Sequence, residues 1–513
     1  MSTTICDLQS RNSQESTYGQ ILKSSALVGG SSILKIAIGI VRTKALAALL
    51  GPSGFGLFSL YGSVSDLWLS ISGMGVNSSG VRQIAEAAGS GAPRRIAQTA
   101  AVLRWTSVVL GISGAAVLAA FARQVSSLTF GTPRHAAAIS LLSLVVLFRL
   151  VSDGQGALIQ GMRRTSDLAR MNVLGALLGL LVSIPLVYFL RENGVVPSLI
   201  AVAGMASLIS WWYSRKIDVE AIPLTFSQIG MEAAALLKLG IVFMSSGMMT
   251  LGVAYAVRIT ILHRIGIEAT GLYQSAWALG GLYVGFILQA MGADFYPRLT
   301  ASAEDNAACN RLVNEQALVG LLLAGPGVIG TLTFAPLIIY VFYSAKFGAA
   351  VPVLRWICLG TTLQVITWPV GFIIVAKAKR ALFFFAEFTW AVFAAGLAWL
   401  CINSFGLSGA GFAFFGSYVF HAIVVYAIAR RLSGFRWSAH NVNAGLLFLP
   451  LIAIVFGALY VLPVFFAGAL GVVALAVSCY YAIQTLTTLI PVQRYPKRVR
   501  EVLFWLRGRP EPA

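Results

Sequence analysis

The sequence predicts an all-α polytopic membrane protein of about 14 transmembrane helices, arranged as two parallel six-helix repeats followed by two further C-terminal helices. Three observations predict it. Of 513 residues, 58% are hydrophobic and only 11% charged, where a soluble domain carries roughly a quarter charged residues; mean hydropathy is +0.82. Apolar runs of about 20 residues recur from end to end, the length that crosses a bilayer as a helix, and the short alternating segments of a transmembrane β-barrel are absent. The chain also matches itself at a fixed offset, as duplicated transporters do.

Residues 1–19 form a polar N-terminal tail that lacks an apolar core behind a basic start, so no cleavable signal peptide is expected. The first six spans fall at 21–41, 55–76, 100–121, 136–159, 171–190 and 195–212, an N-terminal bundle over 20–216. A polar connector, 217–234, carries Asp218, Glu220 and Glu232. The second six fall at 237–257, 271–291, 317–341, 351–376, 381–402 and 407–428, a C-terminal bundle over 235–431. Two additional spans, 444–462 and 468–490, occupy 432–490, and a basic tail, 491–513, carries Arg494, Lys497, Arg498 and Arg500.

A net charge of +19 would suggest nucleic acid in a soluble protein. Here the positive-inside rule accounts for it. With the N-terminus inside, 23 of the 37 Lys and Arg residues fall in cytoplasmic segments, 8 in outer loops and 6 within spans. Both termini are therefore expected to be cytoplasmic, and no nucleic-acid partner is expected. The five cysteines show no paired spacing and predict neither disulfides nor a metal site. The outer loops are too short to hold a core of their own.

An ungapped offset of 215 residues places Lys23 on Lys238, Gly51 on Gly266, Gly56 on Gly271, Gly156 on Gly371, and Arg215-Lys216 on Arg430-Arg431. Each repeat has an even number of spans, so both halves enter the membrane in the same direction. A central cleft between two six-helix bundles is the natural binding place.

Buried charge in a spanning helix is costly and marks a pathway more often than a scaffold. On the first span Ser24, Ser31, Lys35, Gly39 and Arg42 recur at helical spacing and share a face. Lys35 has two readings, a cavity wall or snorkelling to the outer interface. It lies about seven residues, ~10 Å, from the outer end, which makes snorkelling a stretch. Arg42 and its near-counterpart Arg258 stand at outer mouths of paired helices, where they favour an anionic ligand or anchor helix ends. Arg149 lies mid-membrane with Asp153 four residues on, so an i,i+4 ion pair is expected between them, with exchange onto a substrate charge or a proton as the alternative. Asp66 and Glu387 are further buried carboxylates, each a salt-bridge partner or a protonatable coupling group. His421 stands by itself in the twelfth span and reads as a packed or pore-edge residue.

There is no phosphate loop, HExxH or GxSxG motif, and no cofactor is expected. The stretch GGSSILKIAIGIVRTKALAALLGPSGFGLFSLYGSV, with its Gly51-Pro52-Ser53-Gly54-Phe55-Gly56 turn, resembles the N-terminal signature of Wzx-type O-antigen translocases, polysaccharide-transport members of the multidrug/oligosaccharidyl-lipid/polysaccharide exporter superfamily. The resemblance implies two bundles in a V shape and alternating access. It implies an undecaprenyl-pyrophosphate-linked oligosaccharide as substrate, moved from the inner to the outer leaflet of a bacterial cytoplasmic membrane. It also implies a polysaccharide polymerase and a chain-length regulator as partners beside the membrane lipids. The family's cationic cavity corresponds here to Lys35, Arg42, Arg149 and Arg258.

An ion-coupled lipid-linked oligosaccharide flippase is accordingly the first reading. The runner-up is a cation-coupled multidrug exporter of the same superfamily, which would favour a cleft rich in carboxylates. A membrane enzyme such as a polymerase or ligase would need a sizeable outer loop, and the sequence offers none.

Overall fold

The computed structural model describes residues 2–89, 92–218 and 225–489, with side chains from residue 30 onward apart from some positions, most of them in the eighth and ninth helices. The basic tail 491–513, the centre of the connector at 219–224, and the side chains of Cys6 and Lys23 lie outside the described residues. No strand occurs among the described residues. Fifteen α-helices follow in order: α1 (Ser2–Gly73), α2 (Val76–Gly89), α3 (Pro93–Ala120), α4 (Ala122–Phe130), α5 (Ala136–Gly161), α6 (Thr165–Leu190), α7 (Val195–Ser214), α8 (Phe226–Arg264), α9 (Ile267–Ala301), α10 (Asn306–Phe342), α11 (Val351–Ala376), α12 (Arg380–Phe405), α13 (Leu407–Ser433), α14 (Ala439–Val461) and α15 (Val464–Leu489).

Nine stretches among the described residues are long and apolar enough to cross a membrane. Their outer faces are apolar too. Phe189 is 78% exposed, Val464 90% and Phe465 79%, an arrangement that costs little in hydrocarbon and that water would not tolerate on this scale. The protein is an all-α, multi-pass membrane protein.

The turn expected at Gly51-Pro52 is a break inside α1, where Gly51 takes φ 66° and ψ −176°. That region is open to glycine and closed to residues with a Cβ. Its partner at the 215-residue offset, Gly266, also has positive φ, 123°. The duplication extends to residues other than glycine. Arg163 and Ala378 stand at φ 56° and 54°, and Arg191 (52°, −129°) matches Gly406 (60°, −141°). Around the first of these pairs the hydrogen bonds repeat as well: the Arg164 N–H donates to the Ile159 carbonyl as the Lys379 N–H does to Ile374, both at 3.1 Å. At these turns the same backbone path has been used twice.

By contact the chain forms two compact units, Met1–Gln274 with Tyr340–Gly348, and Ser275–Ile339 with Ala349–Ala513. The first unit thus runs past the connector at which the sequence divides the bundles. The reason lies in α8 and the start of α9. The Tyr255 hydroxyl shares a 2.6 Å hydrogen bond with Thr129. Any Cβ on Gly240 would strike the Met74 carbonyl, and one on Gly271 the Pro52 carbonyl. The repeat-related glycines Gly56 and Gly271 face each other directly, so two backbones approach as only small residues permit.

Inside the first unit two apolar clusters sit at successive levels of the same helices. One joins Tyr61 and Val64 of α1 to Leu118 of α3, Ile139–Val146 of α5 and Val195 of α7. The other joins Leu103 of α3 to Ala157–Ile159 of α5 and Ile209 of α7. Asp153 falls between the two levels on α5, and Arg149 lies beside it. The second unit has its own core, with Phe295, Val313, Val370, Ala429 and Phe435.

Candidate functional site

The site grows from one stripe of α1 beyond the break. Ser59, Gly62, Ser63 and Asp66 recur at i, i+3, i+4 and i+7 and therefore share a face. Opposite them α5 presents Arg149 and Asp153, one helical turn apart, and α7 contributes the small side chains Ala203 and Ala206, which leave room.

Two cavities open on this stripe, both within the first unit. The first, about 380 Å³, is lined by Arg42, Ser59, Ser63, Ser65, Asp66, Arg149, Arg258 and Gln274 among others. The second, about 460 Å³, is lined by Asp66, Ser70, Asn77, Ser107, Arg149, Asp153 and Met244 among others. Asp66 and Arg149 belong to both. They are joined by a 2.5 Å contact from Arg149 Nη1 to Asp66 Oδ1, so a single ion pair forms the shared wall. The first cavity has three guanidinium groups against one carboxylate. The second has two carboxylates against one guanidinium.

This pairing corrects the i,i+4 expectation. Arg149 reaches 83 positions back to Asp66, while Asp153 makes no ion pair or hydrogen bond among the described residues. Packing of α1 on α5 brings a second carboxylate within reach of Arg149, and that carboxylate takes the contact. Arg149 and Lys35 both act on Asp153 electrostatically from a distance.

Arg258 is 6% exposed and is positioned by a hydrogen-bonded frame. Its Nε donates to the Ser59 hydroxyl at 3.1 Å and to the Gln274 side-chain oxygen at 3.0 Å. Nη2 donates to the same Gln274 oxygen at 2.7 Å, and Nη1 to the Ala254 carbonyl at 2.7 Å. Ser59 in turn donates to Gln274 at 2.9 Å, across the 215 positions of the repeat. Asp66 acts on Arg258 electrostatically as well. On the far wall, Arg42 Nε donates to the Ser183 hydroxyl of α6 at 3.1 Å. The Ser65 hydroxyl, which lines the cationic cavity, is buried without a hydrogen-bond partner.

Arg42, Arg149, Arg258 and Asp66 are therefore brought together on one cavity, and Asp153 onto its neighbour. Lys35 is exposed and lines neither cavity. Glu387 lies in the second unit, its Oε1 3.8 Å from Nε2 of His421. Ser59, Ser65, Ser183 and Gln274 carry no charge that would mark them in the sequence. The helical spacing of Ser59, Gly62, Ser63 and Asp66 was the available signal for the first. Such a cavity can hold a multiply charged anion, because guanidinium groups and hydroxyls replace the hydrogen bonds that an oxyanion leaves behind in water.

Comparison with known proteins agrees with this architecture. A family described as "Polysaccharide biosynthesis protein" matches residues 45–352. The Lipid III flippase of Escherichia coli (strain K12) is 23% identical over 409 residues, covering 78% of this chain and 95% of the relative. Among solved structures, Lipid II flippase MurJ in its inward closed conformation superposes with a TM-score of 0.69 at 12% identity, over 90% of this chain and 99% of that one. An inward-facing multidrug resistance MATE family transporter of the MOP superfamily gives 0.64 at 15% identity, over 78% and 98% of the two chains. The structural likenesses show a common fold.

Proposed function

This chain belongs to the polysaccharide biosynthesis protein family, and from that premise we propose that it is a flippase for an undecaprenyl-pyrophosphate-linked oligosaccharide, moving it from the inner to the outer leaflet of a bacterial cytoplasmic membrane by alternating access. The observation that carries the reading is the convergence of Arg42, Arg149 and Arg258 on one cavity with Asp66 as the only carboxylate in its lining. The curated relative that spans most of the chain is described as a flippase, which agrees with transport rather than enzymatic catalysis.

A pyrophosphate cannot enter hydrocarbon unaided, since stripping one ion of water costs several kcal/mol even after relaxation. In the resting cavity Asp66 is the internal counter-ion, held by Arg149 and facing the field of Arg258. An arriving pyrophosphate takes over Arg149, and the hydroxyls of Ser65 and of Ser63, once turned away from the Ser59 carbonyl, supply donors to its remaining oxygens. The ion pair is thus a placeholder for the substrate's charge. Arg258 stays fixed by Gln274 and Ser59 and orients the phosphate. The polyprenyl chain remains in lipid throughout.

The test is complementation of a flippase-null strain with Arg42→Ala, Arg149→Ala and Arg258→Ala variants at equal abundance in the membrane. Lipid-linked glycan is expected to accumulate in the inner leaflet with each. Normal surface polysaccharide with all three variants would sink the proposal. A cation-coupled multidrug exporter is the second reading, favoured by the two carboxylates of the neighbouring cavity. It predicts that the wild-type chain protects cells against cationic dyes and that Asp153→Asn abolishes the protection.

A further inference from the structure

The second unit holds a titratable cluster that the anion cavity does not use. Glu387 of α12 and His421 of α13 face each other with Oε1 and Nε2 3.8 Å apart, their side chains 18% and 14% exposed. The rings of Trp390 and Tyr418 stand 6.1 and 6.0 Å from the imidazole and 5.9 Å from each other. Two polar atoms of the cluster, His421 Nδ1 and Trp390 Nε1, are buried without a hydrogen-bond partner, and Trp390 is 7% exposed.

The surrounding helices bring little other charge. Apart from this pair, α12 carries Arg380 and Cys401, and α13 carries Tyr418, Tyr426, Arg430 and Arg431. On α11, which packs against both, Arg355 and Cys358 are the titratable groups. Tyr418 is within electrostatic reach of Glu387. Trp277 of α9 meets Phe414 edge to face, and the titratable groups of described side chains further along α9 are Tyr296 and Arg298. Arg380 and Arg430 mark the nearer ends of the two helices, so the pair lies roughly 10–14 Å along them from those ends.

The repeat shows that the scaffold does not demand these groups. At the 215-residue offset, Glu387, Trp390, Tyr418 and His421 fall on Asn172, Gly175, Ala203 and Ala206. Two ionisable groups have been added to one half of a duplicated fold, at a depth where charge is expensive.

Their chemistry selects the ligand. With a neutral imidazole the site holds one uncompensated negative charge. One proton on His421 makes it neutral overall, which a water-poor surrounding favours, whereas access to water removes that preference. The 3.8 Å separation is too long for a hydrogen bond, so neither group is locked to the other. One carboxylate and one imidazole form a poor cage for a hard metal cation, which asks for several oxygen ligands.

We propose that Glu387 and His421 form a proton-binding site whose occupancy is coupled to transport; the coupled step itself rests on the flippase reading above.

The chain has four histidines, so the full-length protein in lipid nanodiscs, labelled with ring ¹⁵N-histidine, gives resolvable signals, with that of His421 assigned by its loss in His421→Gln. We expect it to titrate between about pH 5 and 8, and Glu387→Gln to lower its midpoint by about one pH unit. A His421 ring that keeps one protonation state between about pH 4 and 9, or an unchanged midpoint in Glu387→Gln, would overturn the site. In proteoliposomes the probe is fluorescent undecaprenyl-pyrophosphate-linked N-acetylglucosamine. A gradient of one pH unit changes the wild-type rate by up to about tenfold, and the ratio with and without gradient falls to unity in His421→Gln and Glu387→Gln of wild-type thermal stability. A gradient response retained by both variants overturns the coupling. If the wild type moves no probe, the flippase reading has failed, and the histidine titration alone decides the site.

Discussion

The two repeat halves share a backbone and differ in charge. Three pairs of positive-φ positions coincide at the 215-residue offset, Gly51 with Gly266, Arg163 with Ala378 and Arg191 with Gly406, whereas Met74, Gly75 and Gly131 have no such counterpart. The charges do not. Asp66, Arg149 and Asp153 fall on Gly281, Gln364 and Trp368, and Glu387 and His421 fall on Asn172 and Ala206. Path-setting positions are held because a helix–turn–helix that meets another must keep its turn geometry. Charges inside a membrane carry a standing cost and persist where they do chemistry. The difference between the halves therefore separates scaffold from site.

The comparison breaks most visibly if first-half charges are replaced by their second-half counterparts. Arg149→Gln is expected to lower flipping of a lipid-linked substrate roughly 10- to 100-fold, the worth of one charge-assisted hydrogen bond to phosphate, measured as inner-leaflet accumulation. If Arg149 served only to neutralise Asp66, the double variant Asp66→Asn, Arg149→Gln would regain activity; we expect it to remain inactive. Shared backbone is tested next. Gly51→Ala places a Cβ at φ 66° with nothing within 4 Å to strike, so its cost is backbone strain alone, about 1–3 kcal/mol, read by thermal unfolding in detergent.

A smaller effect of opposite sign is expected at Arg191, which holds a conformation that the other half assigns to Gly406. Arg191→Gly relieves that strain and loses an exposed 3.3 Å bond to the Leu49 carbonyl, for a net gain of about 0.5 kcal/mol. The smallest effect should be the reverse graft. Gln364→Arg adds a guanidinium to the second half without an Asp66 beside it; its cost falls on stability, and flipping per molecule of membrane-inserted protein should stay within about twofold of wild type. A large gain there would mean that the halves are interchangeable in charge as well as in path.

Much of the first cavity could be read along the chain. Arg42, Arg149 and Arg258 are exceptional residues in apolar surroundings, and their cost in lipid is a property of each residue alone. Their partners could not be read. The i,i+4 rule looks along one helix, and it assigned Asp153 to Arg149 because nothing local indicates that α1 passes α5 at the level of Asp66. Gln274 was invisible for the same reason: its importance comes from meeting Ser59 at the contact between repeat-related helix segments. Lys35 drew attention by its type and depth, yet its side chain is exposed and lines neither cavity.

Composition, apolar run length and the 215-residue offset determined by themselves that this is a duplicated helical membrane protein with cations in its interior, because the bilayer imposes its rules on each segment independently. Tertiary structure alone decided that three of the guanidinium groups share one cavity, that one ion pair separates it from an acidic neighbour, and that Glu387 meets His421. These depend on which helix faces meet, a choice made by side chains far apart in the chain.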